Sequence, residues 1–194
     1  LLKRNFESYD NVSICTDYLE IRGKNSVDDL ILSRLPKGLS DVGVMSIDID
    51  SFDYHIFKNM YKIKPQIVII EFNNYIPPYI DYFDPEGKVF LRCSAKAIER
   101  LANEKGYRMV ACTVTNAILL REDCFDPKFH PDMPVEFLFD YNGQKENGSE
   151  ACSVVFSQMI TRFPVFTKKP NFTERVFYKL RGWVSSFLPS REPF

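Results

Sequence analysis

Three aspartates stand close together in Asp48-Ile-Asp-Ser-Phe-Asp53, directly after the apolar run Val42-Gly-Val-Met-Ser-Ile47. In an extended segment Asp48 and Asp50 project to the same side, and Asp53 falls just inside the helix expected to follow. Converging carboxylates raise one another's pKa, or they hold a hard divalent cation through oxygen ligands, here Asp48 and Asp50. Either outcome suits activation of a hydroxyl: a carboxylate takes the proton, or a cation lowers the hydroxyl's pKa. The other reading of the same residues is a helix capped by Asp50 or Ser51, with the remaining acids in water.

Glu71 and Asn73 form a second cluster, after Ile67-Val-Ile-Ile70. A carboxylate and an amide at a neighbouring strand end orient a substrate hydroxyl or amine, or simply bond to loop backbone. His55, one turn into the helix after the first acids, is a candidate base or substrate contact, or a core or surface histidine. Tyr75 lies on the loop after Glu71 with Tyr79, Tyr82 and Phe83. These rings offer a wall for a sugar or other ring, or pack the loop down.

The elements that must position these residues can be read from period and caps. Asn11–Asp17 reads as a short strand. Ser26-Val-Asp-Asp29 is a capping-box-like start to a short helix that Pro36 and Gly38 stop. The runs 42–47 and 66–72 are unbroken apolar stretches ending in acid, the pattern of strands buried on both faces. Between them Ser51 is a candidate cap for a helix with Phe52, Ile56 and Met60 at i, i+4, i+8. Ser94 caps a second helix with the stripe Ala97, Ile98, Leu101, Ala102, and Gly106 ends it. Residues 107–113 and 116–120 read as two closing strands around a tight turn. Strand–helix–strand–helix–strand order implies parallel pairing with right-handed crossovers, so both acidic clusters point into the crevice beyond the strand ends.

Composition bounds the rest. The chain has 194 residues, with 25 Lys+Arg against 26 Asp+Glu, so no global charge directs it to nucleic acid. No apolar run approaches the roughly 20 residues that span a bilayer. Five cysteines without a CxxC pair read as free, buried thiols in a soluble, cytoplasmic protein. After Arg121 the sequence turns rich in Asp, Pro, Asn and Gly with no sustained period, so 123–194 reads as a C-terminal extension. Within it, about 172–188, Phe172, Val176, Leu180, Trp183 and Phe187 recur at helical spacing beside Arg175, Lys179 and Arg181. Such a stripe packs on its own domain or on a symmetry mate in a homo-oligomer, or rests peripherally on a membrane surface.

Val44-Met-Ser-Ile-Asp-Ile-Asp-Ser-Phe-Asp-Tyr54 followed by Pro65-Gln-Ile-Val-Ile-Ile-Glu-Phe-Asn73 resembles the central and following strands of the FkbM-type methyltransferases. Cys93-Ser-Ala-Lys-Ala97 with Lys105-Gly-Tyr107 resembles the family's next helix, and Asn116–Leu120 its closing strand. Ser51 stands where the family pattern has Gly, and Phe72 where it commonly has Tyr. The resemblance covers about residues 11–122. It implies a Rossmann-like α/β sheet of the class I methyltransferase type, with Asp48, Asp50, Asp53, Glu71 and Asn73 lining the crevice. It further implies methyl transfer from S-adenosylmethionine to a hydroxyl of a sugar or small natural product; the clustered carboxylates themselves keep a divalent cation as a second candidate cofactor. The family's Gly-rich donor loop has no counterpart here, where the eight glycines are scattered singly. The expectation is therefore an N-terminally truncated domain whose donor-binding residues lie upstream of Leu1. Two other readings stay open: a glycosyltransferase in which the DxD of Asp48 and Asp50 holds a metal against a nucleotide-sugar diphosphate, and a non-catalytic Rossmann-like remnant.

Overall fold

The computed structural model of the chain describes residues 2–6, 8–35 and 41–140. It is a mixed α/β fold around an open four-stranded sheet. The elements are α1 (Leu2–Phe6), α2 (Val27–Leu32), β1 (Val44–Ile47), α3 (Asp53–Asn59), β2 (Ile67–Glu71), α4 (Ala95–Glu104), β3 (Tyr107–Cys112), β4 (Asn116–Arg121) and α5 (Val135–Leu138), with a short 3-10 turn at Glu122–Cys124. The sheet order is β1-β2-β4-β3.

The two acid-terminated runs are adjacent and parallel, with Val44 opposite Ile67 and Ile47 opposite Ile70. The pairing continues before the strands, where Gln66 N–H donates to Val42 O and Ile67 N–H to Gly43 O, both at 2.9 Å. The sheet is not parallel throughout. β3 and β4 form an antiparallel hairpin, and β4 folds back to pair antiparallel with β2. A tight turn over 113–115 leaves no crossover between the last two strands, so antiparallel pairing is the only geometry open to them.

Each helix forms for a local reason. Ser26 Oγ accepts the Asp29 N–H at 3.4 Å and starts α2. Ser94 Oγ accepts both the Ala97 and Tyr82 N–H groups at 3.1 Å, so one hydroxyl caps α4 and anchors the preceding loop. Gly106, at φ +76°, ends α4 in the left-handed region that glycine adopts without a Cβ clash. Ala97, Ile98 and Ala102 of α4 are fully buried, as are Phe57 of α3, Val68 and Ile70 of β2, and Ala117 and Leu119 of β4. Phe57 packs edge-on against Tyr107, joining α3 to β3.

Four expectations need correction. Residues 11–17 contain no strand and are largely exposed, because they have no sheet partner among the described residues. Ser51 does not cap α3, whose first flanking residue is Phe52 with no side-chain capping bond. The Ser51 hydroxyl turns back to Ile49 O instead, and Asp53 takes up the local backbone donors. β1 is buried on one face only, with Val44 57% exposed while Met45 and Ile47 are buried. The run reads as doubly buried because its outward residues are also apolar or small, and composition does not report which face a helix covers. The thiols are free, as expected, but only Cys93 is buried, and Cys15 is exposed. Cys152 and the stripe at 172–188 lie outside the described residues. Among the described residues no helix is long and apolar enough to cross a membrane.

Asp28, a buried acid in the first turn of α2, ties that helix to the segment entering β2. Its carboxylate accepts the N–H groups of Tyr61 (2.7 Å), Lys62 (2.9 Å) and Ile63 (2.9 Å). Asp28→Ala strands all three donors, and urea unfolding is expected to show a loss of about 3–5 kcal/mol. A loss below about 1 kcal/mol would mean that the loop re-solvates freely and that the carboxylate is not its anchor.

Candidate functional site

The parallel register sets β1 and β2 to end side by side, and the acids that follow meet there. Carboxylate oxygens of Asp48, Asp50 and Glu71 all lie within 4.8 Å of one another. The Asp50 side chain is 88% exposed, whereas that of Glu71 is 13% exposed. One acid of the cluster is thus sheltered by protein and two face water. Around a Ca2+ ion, ligand oxygens at 2.3–2.6 Å lie at most about 5 Å apart, so this trio has the span to share one hard cation.

Asp53 plays a different part. It is 1% exposed, and its carboxylate accepts the N–H of Ile49 at 2.9 Å and of Ser51 at 3.1 Å. Those two bonds close the 49–51 turn and hold Asp50 between them at φ +56°. Aspartate is among the few non-glycine residues that visit this region, so the turn falls on Asp50, and Ser51 needs no glycine conformation.

Arg92 completes the site. Its guanidinium donates from Nη1 to Glu71 Oε2 and reaches Asp50 Oδ1 at 3.3 Å. It too is held at positive φ, +64°, a conformation that costs free energy for a residue with a Cβ. The surrounding loop enforces it. Asp84, 2% exposed, accepts the N–H groups of Phe90 (2.7 Å), Leu91 (3.0 Å) and Arg92 (2.6 Å), and the Tyr82 hydroxyl at 2.6 Å. One buried carboxylate therefore folds residues 82–92 into a hook that aims Arg92 at the acids.

Burial lifts the Glu71 carboxyl above the usual carboxylate range. The Arg92 bond and charge pull it back, and the Asp48 and Asp53 charges add to the lift. Burial likewise lifts Asp53, against the Ile49 and Ser51 N–H groups and the Arg92 charge. Both groups hold a proton more tightly in the folded chain than in the unfolded one. Their contribution to folding is thus fully present below the unfolded carboxylate pKa and is lost as the pH rises through the folded one.

The other residues singled out from the sequence lie apart from this trio. His55 is 4% exposed, with Nε2 at 2.7 Å from Asp84 O and its ring against Tyr54 and Phe83. Asn73 spends its amide on the loop, donating to Leu91 O at 3.1 Å and accepting the Tyr75 N–H at 2.9 Å. Tyr75 is exposed. Of the loop aromatics, Tyr82 is buried and Phe83 stacks on Tyr54 with centroids 4.3 Å apart, so these two pack the loop. Arg92 and Asp84 carried no sequence signal of their own. A lone arginine and a lone aspartate in an irregular loop become a positioned pair only once the chain closes on them.

Arg92→Gly deletes the guanidinium while leaving a residue that adopts the same φ at no steric cost. Glu71 is expected to titrate at higher pH in this variant, read by carboxyl carbon NMR. An unchanged or lower titration would show that Arg92 is not its counter-charge.

No family model matches the chain, and no curated protein and no solved structure matches it.

Proposed function

We propose that the chain supplies the acceptor-activating side of an S-adenosylmethionine-dependent O-methyltransferase of the FkbM type. The acceptor is a hydroxyl of a sugar or small natural product. The observation that carries this reading is the convergence of Asp48, Asp50 and Glu71 where two adjacent parallel strands end, the place where α/β sheets receive ligands. The segments that resemble the family in sequence order build this one sheet, and Ser51 in place of glycine brings no backbone strain.

The residues divide the work by environment. Glu71, sheltered and with its carboxyl lifted by burial, is the group suited to take a proton from an acceptor hydroxyl. Arg92 keeps it oriented and supplies positive charge beside the oxygen that loses the proton. Asp48 and Asp50, exposed and adjacent, would hold a divalent cation together with Glu71, and such a cation would lower the hydroxyl's pKa. The methyl donor does not fit the described residues in the same way. None of the four strands is followed by a glycine-rich turn, and the described glycines at positive φ, Gly23, Gly87 and Gly106, lie singly in separate loops.

A second reading, a metal-dependent glycosyltransferase, draws on the same trio because both carboxylates of its DxD take part. Calorimetric titration separates the cases. The 194-residue chain is expected to bind Mg2+, Mn2+ or Ca2+, and Asp50→Asn to weaken that binding at least about tenfold, or ~1.4 kcal/mol. It is expected to bind S-adenosylmethionine weakly. The absence of cation binding removes the metal from the mechanism. Binding of a nucleotide-sugar diphosphate that requires Mn2+ and Asp50 selects the glycosyltransferase over methyl transfer.

A further inference from the structure

Buried His55 belongs to a ring of contacts that joins three segments of the chain. Its Nε2 lies 2.7 Å from Asp84 O, and its own backbone O accepts from Asn59 Nδ2 at 2.8 Å. Asn59 Oδ1 accepts from Arg22 Nε at 3.0 Å. Arg22 in turn grips Glu86, donating from Nη2 to Oε1 at 2.6 Å and from Nη1 to Oε2 at 3.0 Å. Glu86 Oε1 closes the ring, 3.6 Å from His55 Nδ1.

A carbonyl oxygen only accepts, so Nε2 carries the proton and the neutral ring keeps a bare lone pair at Nδ1, beside the Glu86 carboxylate. Among the described residues Nδ1 is the one buried side-chain nitrogen or oxygen with no hydrogen-bond partner. Two acceptors in this position need a group between them that both can bind, and their separation selects it. A proton shared as N–H···O would draw them to about 2.7–3.2 Å, and a water at about 2.8 Å from each would hold them roughly 4.5 Å apart. A Zn2+ ion at about 2.0–2.2 Å from each, with tetrahedral angles, spaces nitrogen and oxygen by about 3.3–3.6 Å.

We propose that His55 Nδ1 and Glu86 Oε1 bind one divalent transition-metal ion of the Zn2+ class, with water completing its shell. The second ring nitrogen is set up for this. Metal-ligating histidines donate their other N–H to a carbonyl or carboxylate, which fixes the tautomer and the ring angle, and Asp84 O takes that part here. Tyr54 and Phe83 pack edge-on against the ring and hold it. Imidazole suits Zn2+, Cu2+ or Ni2+, whereas oxygen ligands suit Mg2+ or Ca2+, so this site and the oxygen-only trio answer to different ions. Arg22 is the competing cation. Its side chain is 62% exposed, and a pair of that kind contributes little, so it yields its bond to Oε1 while keeping Oε2 and Asn59. The bound ion ties α3 to residues 82–92 at Glu86 as well as at Asp84, and the site owes nothing to the methyl-transfer reading.

Calorimetric titration of the 194-residue chain with Zn2+ is expected to show a site that excess Mg2+ leaves open. Glu86→Gln changes a partly exposed side chain outside the core and should weaken that site at least about tenfold, whereas Asp50→Asn should leave it unchanged. The chain has two histidines, His55 and His130, which side-chain nitrogen NMR tells apart, and Zn2+ should shift Nδ1 of His55. The absence of Zn2+ binding by the parent chain overturns the proposal. So does binding that Asp50→Asn removes and Glu86→Gln spares, since that ion belongs to the acidic trio. A shift confined to His130 overturns it as well, as does a proton found on His55 Nδ1 at neutral pH without metal.

Discussion

Three carboxylates held within 4.8 Å of one another repel, and most of the irregular backbone near them exists to hold that repulsion in place. A free turn after β1 would let Asp50 move away from Glu71. Two buried acids prevent this, and neither belongs to the trio. Asp53 ties down the Ile49 and Ser51 amides and so fixes the turn that carries Asp50. Asp84 gathers three consecutive amides and the Tyr82 hydroxyl, and so fixes the turn that carries Arg92. Both cages hold a non-glycine residue at positive φ. Strain of this kind persists only where surrounding bonds over-determine it, and here they do.

The division of labour among the acids follows from solvent. Glu71 leaves β2 on a half-buried face and loses hydration, so its proton is held more tightly than usual even with Arg92 pulling the other way. Asp50 keeps its hydration and serves as the open end of the cluster. One cation, Arg92, therefore bridges a sheltered and an exposed carboxylate and joins the loop before α4 to the turn before α3. His55 lies beneath that loop, bonded to Asp84 O, and supports the cage from the core side.

The parts of this arrangement written in local sequence were the sheet strands, the caps at Ser26 and Ser94, and the acidic strand ends. Apolar runs of four to six residues bounded by Pro65, Asp48 and Glu71 have little choice but extended, buried backbone. The serine caps at Ser26 and Ser94 act within three residues, and so they are legible without the fold. Parallel pairing of 44–47 with 67–71 followed from a connection long enough for one crossover helix.

What only tertiary structure decided was which polar groups meet. Asp48, Asp53 and Asp84 are chemically alike, yet one faces water and two sit buried inside backbone cages, because exposure and amide partners come from distant segments. The insertion of β4 between β2 and β3, the one-sided burial of β1, and the aim of Arg92 across the site are likewise set by long-range packing. The physical reason is range. A cap or an apolar period is settled within a few residues. A carboxylate's proton affinity and an arginine's target depend on charges and amides that only the closed chain brings within hydrogen-bonding distance.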